Sequence, residues 1–166
     1  TQNKCLGSSV TFSVAASGTA PITYQWKKGG ADISGATSNT YSKSGLTLAD
    51  EGIYTCEVTN LCRSVLSNTA ELKVIQLSAN AGIDDRICNG QGTTLSASAG
   101  SNHPAESGNY TYSWTPTIGL SSANIFNPNA APTVTTDYTV QTTDQIGCTA
   151  TDVVNVLVQN VFQNEE

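Results

Sequence analysis

Residues 50–56 read Asp-Glu-Gly-Ile-Tyr-Thr-Cys, and this stretch decides the fold. The pattern Asp-x-Gly-x-Tyr-x-Cys is typical of the corner at which a two-sheet β-sandwich passes from its fifth strand into its sixth. The glycine suits a tight turn, Asp50 accepts hydrogen bonds there, and the hydroxyl of Tyr54 bonds back to the backbone. Trp26 lies upstream, where a central strand would pack it near Cys56. The predicted structural residues here are Trp26, Asp50, Tyr54 and Cys56.

The residues around this corner follow the period of β-strands. Apolar and polar residues alternate over 10–14, which predicts a strand with its apolar side chains facing inward. Residues 23–28 predict a central strand that carries Trp26. Residues 41–48 predict the fifth strand, although Lys43 stands where an apolar residue is expected. Helical periodicity is absent, so the fold class is all-β.

The second half of the chain repeats the positions of the first. Equivalent residues recur after 83 to 88 positions: Cys88 for Cys5, Trp114 for Trp26, Tyr138 for Tyr54 and Cys148 for Cys62. Positions that shift together indicate a tandem duplication. We therefore predict two tandem immunoglobulin-like β-sandwich domains, residues 1–75 and 76–160. Residues 161–166 are expected to be a tail or the start of a next module.

Short motifs in each half carry a resemblance to known repeats. The first half contains Cys5-x-Gly7, Tyr24-x-Trp26, Asp50-x-Gly52-x-Tyr54-x-Cys56 and Asn60-x-Cys62. The second half contains Ala81-Gly82-x-Asp84, Cys88-x-Gly90, Tyr112-x-Trp114-x-Pro116, Thr135-Thr136-x-Tyr138 and Gly147-Cys148. On these motifs, residues 1–75 resemble bacterial immunoglobulin-like repeats of large secreted or surface proteins of Bacteroidetes-type bacteria. Residues 79–158 resemble the related PKD-like repeats.

The resemblance implies non-catalytic structural or adhesive modules that space or present other domains outside the cell. The partners would be adjacent domains of the same chain, and also a glycan or a host or surface protein. The alternative function is a carbohydrate- or protein-binding accessory module, as an adhesin or appended to a secreted hydrolase. The expected location is extracellular or at the cell surface, and the chain is interpreted as a fragment of a longer secreted protein.

Composition excludes several partners. Only 12% of the residues are charged and the net charge is -6, so no basic stripe is available to neutralise the phosphates of a nucleic acid. The same charge disfavours an anionic membrane surface. No apolar run approaches the length of a transmembrane helix, so no membrane insertion is expected.

The five cysteines leave more than one connectivity open. Val14 stands where the partner of Cys56 would lie, so Cys56 is predicted to be a buried free thiol. Repetition favours disulfides within each module, between the cysteines near the A–B turn and those after the F–G turn: Cys5 with Cys62 and Cys88 with Cys148. These turns usually lie at opposite ends of a sandwich, beyond the roughly 7 Å between Cα atoms that a disulfide spans. A link between opposite ends of successive modules avoids this objection.

Catalytic chemistry is not expected. The single histidine, His103, lies in a loop sequence, and the adjacent carboxylates Asp84 and Asp85 would point to opposite faces of a strand. We therefore predict that the protein is not an enzyme and that it has no catalytic residues and no cofactor.

Calcium and ligand binding are the remaining hypotheses. Asp84, Asp85 and Asp144 flank turns and are weak calcium candidates, although an Asp-x-Asp-x-Asp loop is absent and solvated carboxylates are the simpler interpretation. Residues 100–109 are predicted to be the least constrained loop, in which His103 and the following Tyr110 are candidates for contacting a ligand.

Overall fold

The computed structural model describes residues 1–160, which divide into two compact units with a boundary between Gln76 and Leu77. The predicted tail or next module at 161–166 lies outside the described residues. Strands account for about half of the described residues, and helix is confined to one α-helical turn and one 3-10 turn. No described helix has the length and apolar character needed to cross a membrane.

The first unit contains eight strands: β1 Gln2–Cys5, β2 Ser9–Ser13, β3 Thr23–Lys28, β4 Ala31–Asp32, β5 Thr40–Ser44, β6 Gly52–Thr59, β7 Ser64–Leu66 and β8 Ala70–Ile75. One sheet has the order β1-β8-β6-β3-β4, with β7 pairing to β6 beside β8, and the other is β2-β5. Strand β1 runs parallel to β8. Strand β5 is shorter than the predicted 41–48 because the chain turns at Gly45, whose φ is +64°, before a 3-10 turn at Leu48–Asp50.

The core of the first unit is aromatic. Phe12 stacks on Tyr54 with ring centroids 4.6 Å apart, and Trp26 lies 6.0 Å from Phe12. The indole N–H of Trp26 donates to the carbonyl of Ser38 at 3.0 Å, so burial leaves this donor satisfied. Alternate residues of β2 are buried, as the two-residue period predicts.

The corner before β6 is held by Asp50 and Tyr54. The Tyr54 hydroxyl donates to the backbone carbonyl of Asp50 at 2.7 Å, and the Asp50 carboxylate accepts from the backbone N–H and hydroxyl of Thr47, both at 2.8 Å. Lys43 approaches the other carboxylate oxygen to 3.1 Å. This ion pair explains why a lysine occupies β5 where an apolar residue was expected.

The second unit contains eight strands and one helix: β9 Leu77–Asn80, β10 Asp85–Cys88, β11 Thr93–Thr94, β12 Ser98–Ser101, α1 Pro104–Ser107, β13 Thr111–Thr115, β14 Asn129–Ala130, β15 Thr136–Thr143 and β16 Thr149–Gln159. The main sheet has the order β10-β16-β15-β13, and the opposing strands form the short pairs β11-β14 and β12-β9. Strand β10 runs parallel to β16, as β1 does to β8.

The core of the second unit surrounds Trp114 and Tyr138, both almost completely buried. The indole N–H of Trp114 donates to the carbonyl of Ile125 at 2.9 Å. The Tyr138 hydroxyl donates to the carbonyl of Ile118 at 2.8 Å. Both tryptophans are therefore core residues whose faces are closed to a sugar.

Candidate functional site

A surface groove lies in the first unit, at the hairpin of β6 and β7. Its volume is about 250 Å³. Its apolar wall comes from the end of β2, the start of β3 and the hairpin of β6 and β7: Val14, Ile22, Val58, Val65 and Leu66. We name these five residues, together with Arg63, the β6–β7 groove.

The hairpin positions this wall through its register. Val58 pairs with Val65, and Glu57 pairs with Leu66. Val65 and Leu66 are 47% and 57% exposed, so part of the apolar wall is open to solvent. An exposed apolar surface of this kind is a usual mark of a protein- or ligand-binding site.

Arg63 carries the only charge in the groove lining. Its backbone N–H donates to the Asn60 side-chain carbonyl at 3.1 Å, which fixes the turn before β7. Among the described residues no carboxylate pairs with its guanidinium, whereas Lys27 and Lys43 both form ion pairs. The groove therefore combines an apolar wall with an available cation.

The predicted ligand loop is more constrained than the sequence suggests. Residues 104–107 form the helical turn α1 within the segment 100–109. The side chain of Gln145 donates to the Glu106 carbonyl at 2.9 Å, and its backbone N–H donates to the Ser107 carbonyl at 3.0 Å. Gly108 has a φ of +62°, which favours glycine, and a Cβ there would lie 2.3 Å from the end of the Gln145 side chain, which would have to shift. The contacts tie this loop to the turn after β15.

His103 and Tyr110 flank this helical turn. His103 is half-buried at the residue before α1, not an exposed loop side chain, and Tyr110 is also half-buried. Among the described residues of this unit, Phe126 is the exposed aromatic, and its ring lies 6.3 Å from that of Tyr112. Tyr41 packs against the first unit's core beside Tyr54. These placements leave few aromatic faces for a sugar.

The calcium candidates serve separate backbone groups. Asp84 accepts the N–H of Asn155 at 2.8 Å, and Asp85 accepts the N–H of Arg86 at 2.7 Å and the Thr93 hydroxyl. The Thr93 bond, followed by that of Arg86, lowers the pKa of Asp85 below its ordinary value.

Asp144 has the most buried carboxylate of the three. Its Oδ1 accepts the N–H groups of residues 146, 147 and 148 at 2.8–3.0 Å, and its Oδ2 is buried without a hydrogen-bond partner in the described part of the chain. Over residues 1–160, no three His, Cys, Asp or Glu side chains are grouped so that they could hold a metal. The candidates are therefore not brought together into a cation site.

The cysteines differ in oxidation state. Cys56 is a buried free thiol, and burial raises its pKa, which matches a small core residue. Cys62 and Cys88 are exposed free thiols, while Cys5 and Cys148 are in the disulfide form. The predicted disulfides within modules, Cys5 with Cys62 and Cys88 with Cys148, are therefore wrong. The physical reason is that the A–B and F–G turns lie at opposite ends of a sandwich.

The comparisons with known proteins agree on the fold. A family model described as an immunoglobulin domain matches residues 1–60. The three N-terminal domains of the highly immunogenic outer capsid protein of bacteriophage RB49 align with a TM-score of 0.54 and 18% identity, over 92% of this chain and 55% of that one. The insect immune protein hemolin aligns with a TM-score of 0.53 and 16% identity, over 96% of this chain and 44% of that one.

A third structure, of the domains IG1 and IG2 of DIP-gamma, aligns with a TM-score of 0.53 and 12% identity, over 95% of this chain and 93% of that one. The chain spans 46%, 35% and 55% of the first three structures that it matches. No curated protein sequence matches it. At these identities the likeness shows an all-β, immunoglobulin-like fold.

Proposed function

We propose that the chain is a pair of non-catalytic structural and adhesive modules of a large bacterial cell-surface or secreted protein, which space or present other domains. The two modules are the tandem domains 1–75 and 76–160, the second of the PKD-like kind. The observation that carries the proposal is the duplicated framework, in which Trp26 and Trp114 are each buried and each donate an indole N–H to a backbone carbonyl. Such a framework supports a positioning role because each module closes its own core.

Two further observations support this role. The carboxylates of Asp50, Asp84 and Asp144 accept backbone N–H groups, so they stabilise the fold. The carboxylates of an enzyme's active site would instead be available to a substrate. Disulfide-bonded cysteines persist in oxidising compartments, which favours an extracellular location.

The second candidate function is protein binding through the β6–β7 groove. Its apolar wall would take an apolar side chain, and Arg63 would pair with a carboxylate of the same ligand. An extended acidic peptide segment has both features. Glycan binding is less well supported because a sugar needs exposed aromatic faces on which to stack. In the described part of the second unit, Phe126 with its neighbour Tyr112 offers such a face.

The first experiment is a binding screen of the full chain against polysaccharides and host matrix proteins, with and without Ca²⁺. A spacer gives no saturable binding. For any saturable ligand, Leu66→Asp in the groove is compared with Ile118→Asp, a matched change at a residue 71% exposed in the second unit.

Loss of binding with Leu66→Asp alone supports the groove, and loss with Tyr110→Ala supports the second module's loop. Turnover of any polysaccharide or protein in the panel, at a rate proportional to the protein concentration, would overturn the non-catalytic proposal.

A further inference from the structure

Cys5 and Cys88 occupy the same position in their units. Each ends the strand that pairs in parallel with the last strand of its unit: Cys5 stands opposite Ile75, and Cys88 opposite Gln159. In each unit the N–H three residues later donates to the cysteine carbonyl, at 3.0 Å in the first and 2.9 Å in the second. The two cysteines therefore stand at equivalent A–B turns.

Cys62 and Cys148 also occupy equivalent positions, at the turns that follow β6 and β15. The Asn60 side-chain carbonyl accepts the N–H of Cys62 at 3.0 Å. The Asp144 carboxylate accepts the N–H of Cys148 at 2.8 Å. A side-chain oxygen of the residue that opens the turn therefore fixes each cysteine.

One cysteine at each of these positions is in the disulfide form, Cys5 at the A–B turn and Cys148 at the F–G turn. Their equivalents Cys88 and Cys62 are exposed free thiols. Both positions thus take part in disulfide chemistry in this fold. Of the three free thiols, the two that solvent reaches therefore occupy one position of each kind.

We propose that Cys62 and Cys88 form an interchain disulfide site, in which Cys62 of one copy of this chain bonds to Cys88 of a second copy. The contact joins two different positions of the chain, so it is heterologous and can repeat from copy to copy.

The charge distribution favours this pairing over a symmetrical one. Residues 1–76 contain six basic and five acidic residues, whereas residues 77–166 contain one basic and eight acidic residues. Arg63 adjoins Cys62, and Asp84, Asp85 and Arg86, all exposed, precede Cys88, so the charge difference lies between the whole units. Approach of unlike units brings opposite charges together, while approach of two second units brings like charges together.

The chemistry is thiol–disulfide exchange with a small disulfide such as oxidised glutathione as the oxidant. The thiolate of Cys62 attacks one glutathione sulfur, forms a mixed disulfide and releases reduced glutathione. The thiolate of Cys88 from a second copy attacks the Cys62 sulfur and displaces a second reduced glutathione. The two cysteine protons end on the two released thiols, and the oxidant gains the two electrons.

The test incubates the full chain in a buffer of reduced and oxidised glutathione and separates the products on non-reducing gels. Wild type should form a ladder of covalent multimers. Cys62→Ser and Cys88→Ser should each stay monomeric alone, while their equimolar mixture should give dimer and nothing larger. We expect about tenfold more covalent dimer in the mixture than in either variant alone. This corresponds to an equilibrium constant about tenfold larger for the Cys62–Cys88 disulfide than for a disulfide between two identical cysteines.

Peptide mapping of the dimer should recover the fragment that joins Cys62 to Cys88, and added salt should reduce its yield. The matched control carries Cys62→Ser, Cys88→Ser and Ser34→Cys, which moves the thiol to another exposed turn, and it should couple poorly to the Cys62→Ser variant. Three results would each overturn the proposal. The control mixture could give as much dimer as the mixture of Cys62→Ser and Cys88→Ser, or either of these variants could dimerise alone. The wild type could also remain monomeric while both of its exposed thiols are oxidised.

Discussion

Tyr54 and Tyr138 stand at equivalent positions near the starts of β6 and β15, yet their hydroxyls bind different parts of the chain. Tyr54 donates to the carbonyl of Asp50, four residues upstream, and so closes the adjacent corner. Tyr138 donates to the carbonyl of Ile118, 20 residues upstream, in the loop after β13. The position equivalent to Asp50 is held by the exposed Val134.

A local motif thus specifies which ring is buried, while the tertiary context supplies the acceptor of its hydroxyl. In the first unit, Asp50 fastens its own turn through Thr47 and Lys43. In the second unit, Gly119 lets the loop after β13 approach closely, since a Cβ there would lie 3.0 Å from the backbone nitrogen of Pro132. This loop presents the carbonyl that Tyr138 requires.

The largest expected effect is the loss of either core tryptophan. Trp26→Ala and Trp114→Ala should each lower the free energy of unfolding of their own unit by about 3–5 kcal/mol, because each leaves a large cavity. Hydrogen exchange followed by mass spectrometry resolves which unit has lost protection. Phe126→Ala, at a side chain 52% exposed, is the control and should cost much less. If Trp114→Ala abolished ligand binding with unchanged stability, its assignment to the core would be wrong.

The two tyrosine hydroxyls give the next largest effect and test the comparison directly. Tyr54→Phe and Tyr138→Phe should each cost about 1–2 kcal/mol, because a buried carbonyl loses its donor. Exchange should rise near residues 47–52 in the first variant and near residues 116–120 in the second. Burial raises the pKa of Tyr54 to about 12, so its hydroxyl stays protonated and able to donate at the neutral pH of the experiment. If Tyr138→Phe raised hydrogen exchange at the corner directly before β15, as Tyr54→Phe is expected to do before β6, the two hydroxyls would not hold different parts of the chain.

Cys56 and Val140 provide a third comparison, at equivalent positions of β6 and β15. Both side chains are fully buried. Cys56→Ala should cost on the order of 1 kcal/mol by leaving a small cavity, and Val140→Ala somewhat more because two methyl groups are lost. Chemical denaturation measures both costs. In the native protein a thiol reagent should label Cys62 and Cys88 and leave Cys56 unlabelled, and rapid labelling of Cys56 would contradict its place in the core.

Short-range features were accessible from the sequence, and long-range ones were not. Strand β3 covers the predicted 23–28, because its alternation and its tryptophan are local signals. The ion pair of Lys43, the acceptor of Tyr138 and the bonds from Gln145 to the loop 100–109 join residues that no local pattern connects. The groove was missed for the same reason, although two successive apolar residues, Val65 and Leu66, after a polar turn were a usable signal.

The smallest expected effect is the pH dependence of the first unit's corner. Burial alone would raise the pKa of Asp50, but the two hydrogen bonds from Thr47 and the ion pair with Lys43 outweigh it and hold the pKa below its ordinary value. A carboxyl with a depressed folded-state pKa contributes stability that is present above its unfolded pKa and is lost as the pH falls through the folded one. The second unit has Val134 at this position, so it lacks this contribution.

Acidification below the ordinary range of aspartate should therefore lower the melting temperature of the first unit by roughly a few degrees relative to the Asp50→Asn variant, whose stability should respond less. Each unit contains one tryptophan, so Trp114→Phe leaves a fluorescence reporter of the first unit alone, in which the two pH profiles can be compared. Parallel profiles with and without the Asp50→Asn change would show that the corner carboxylate contributes nothing that titrates.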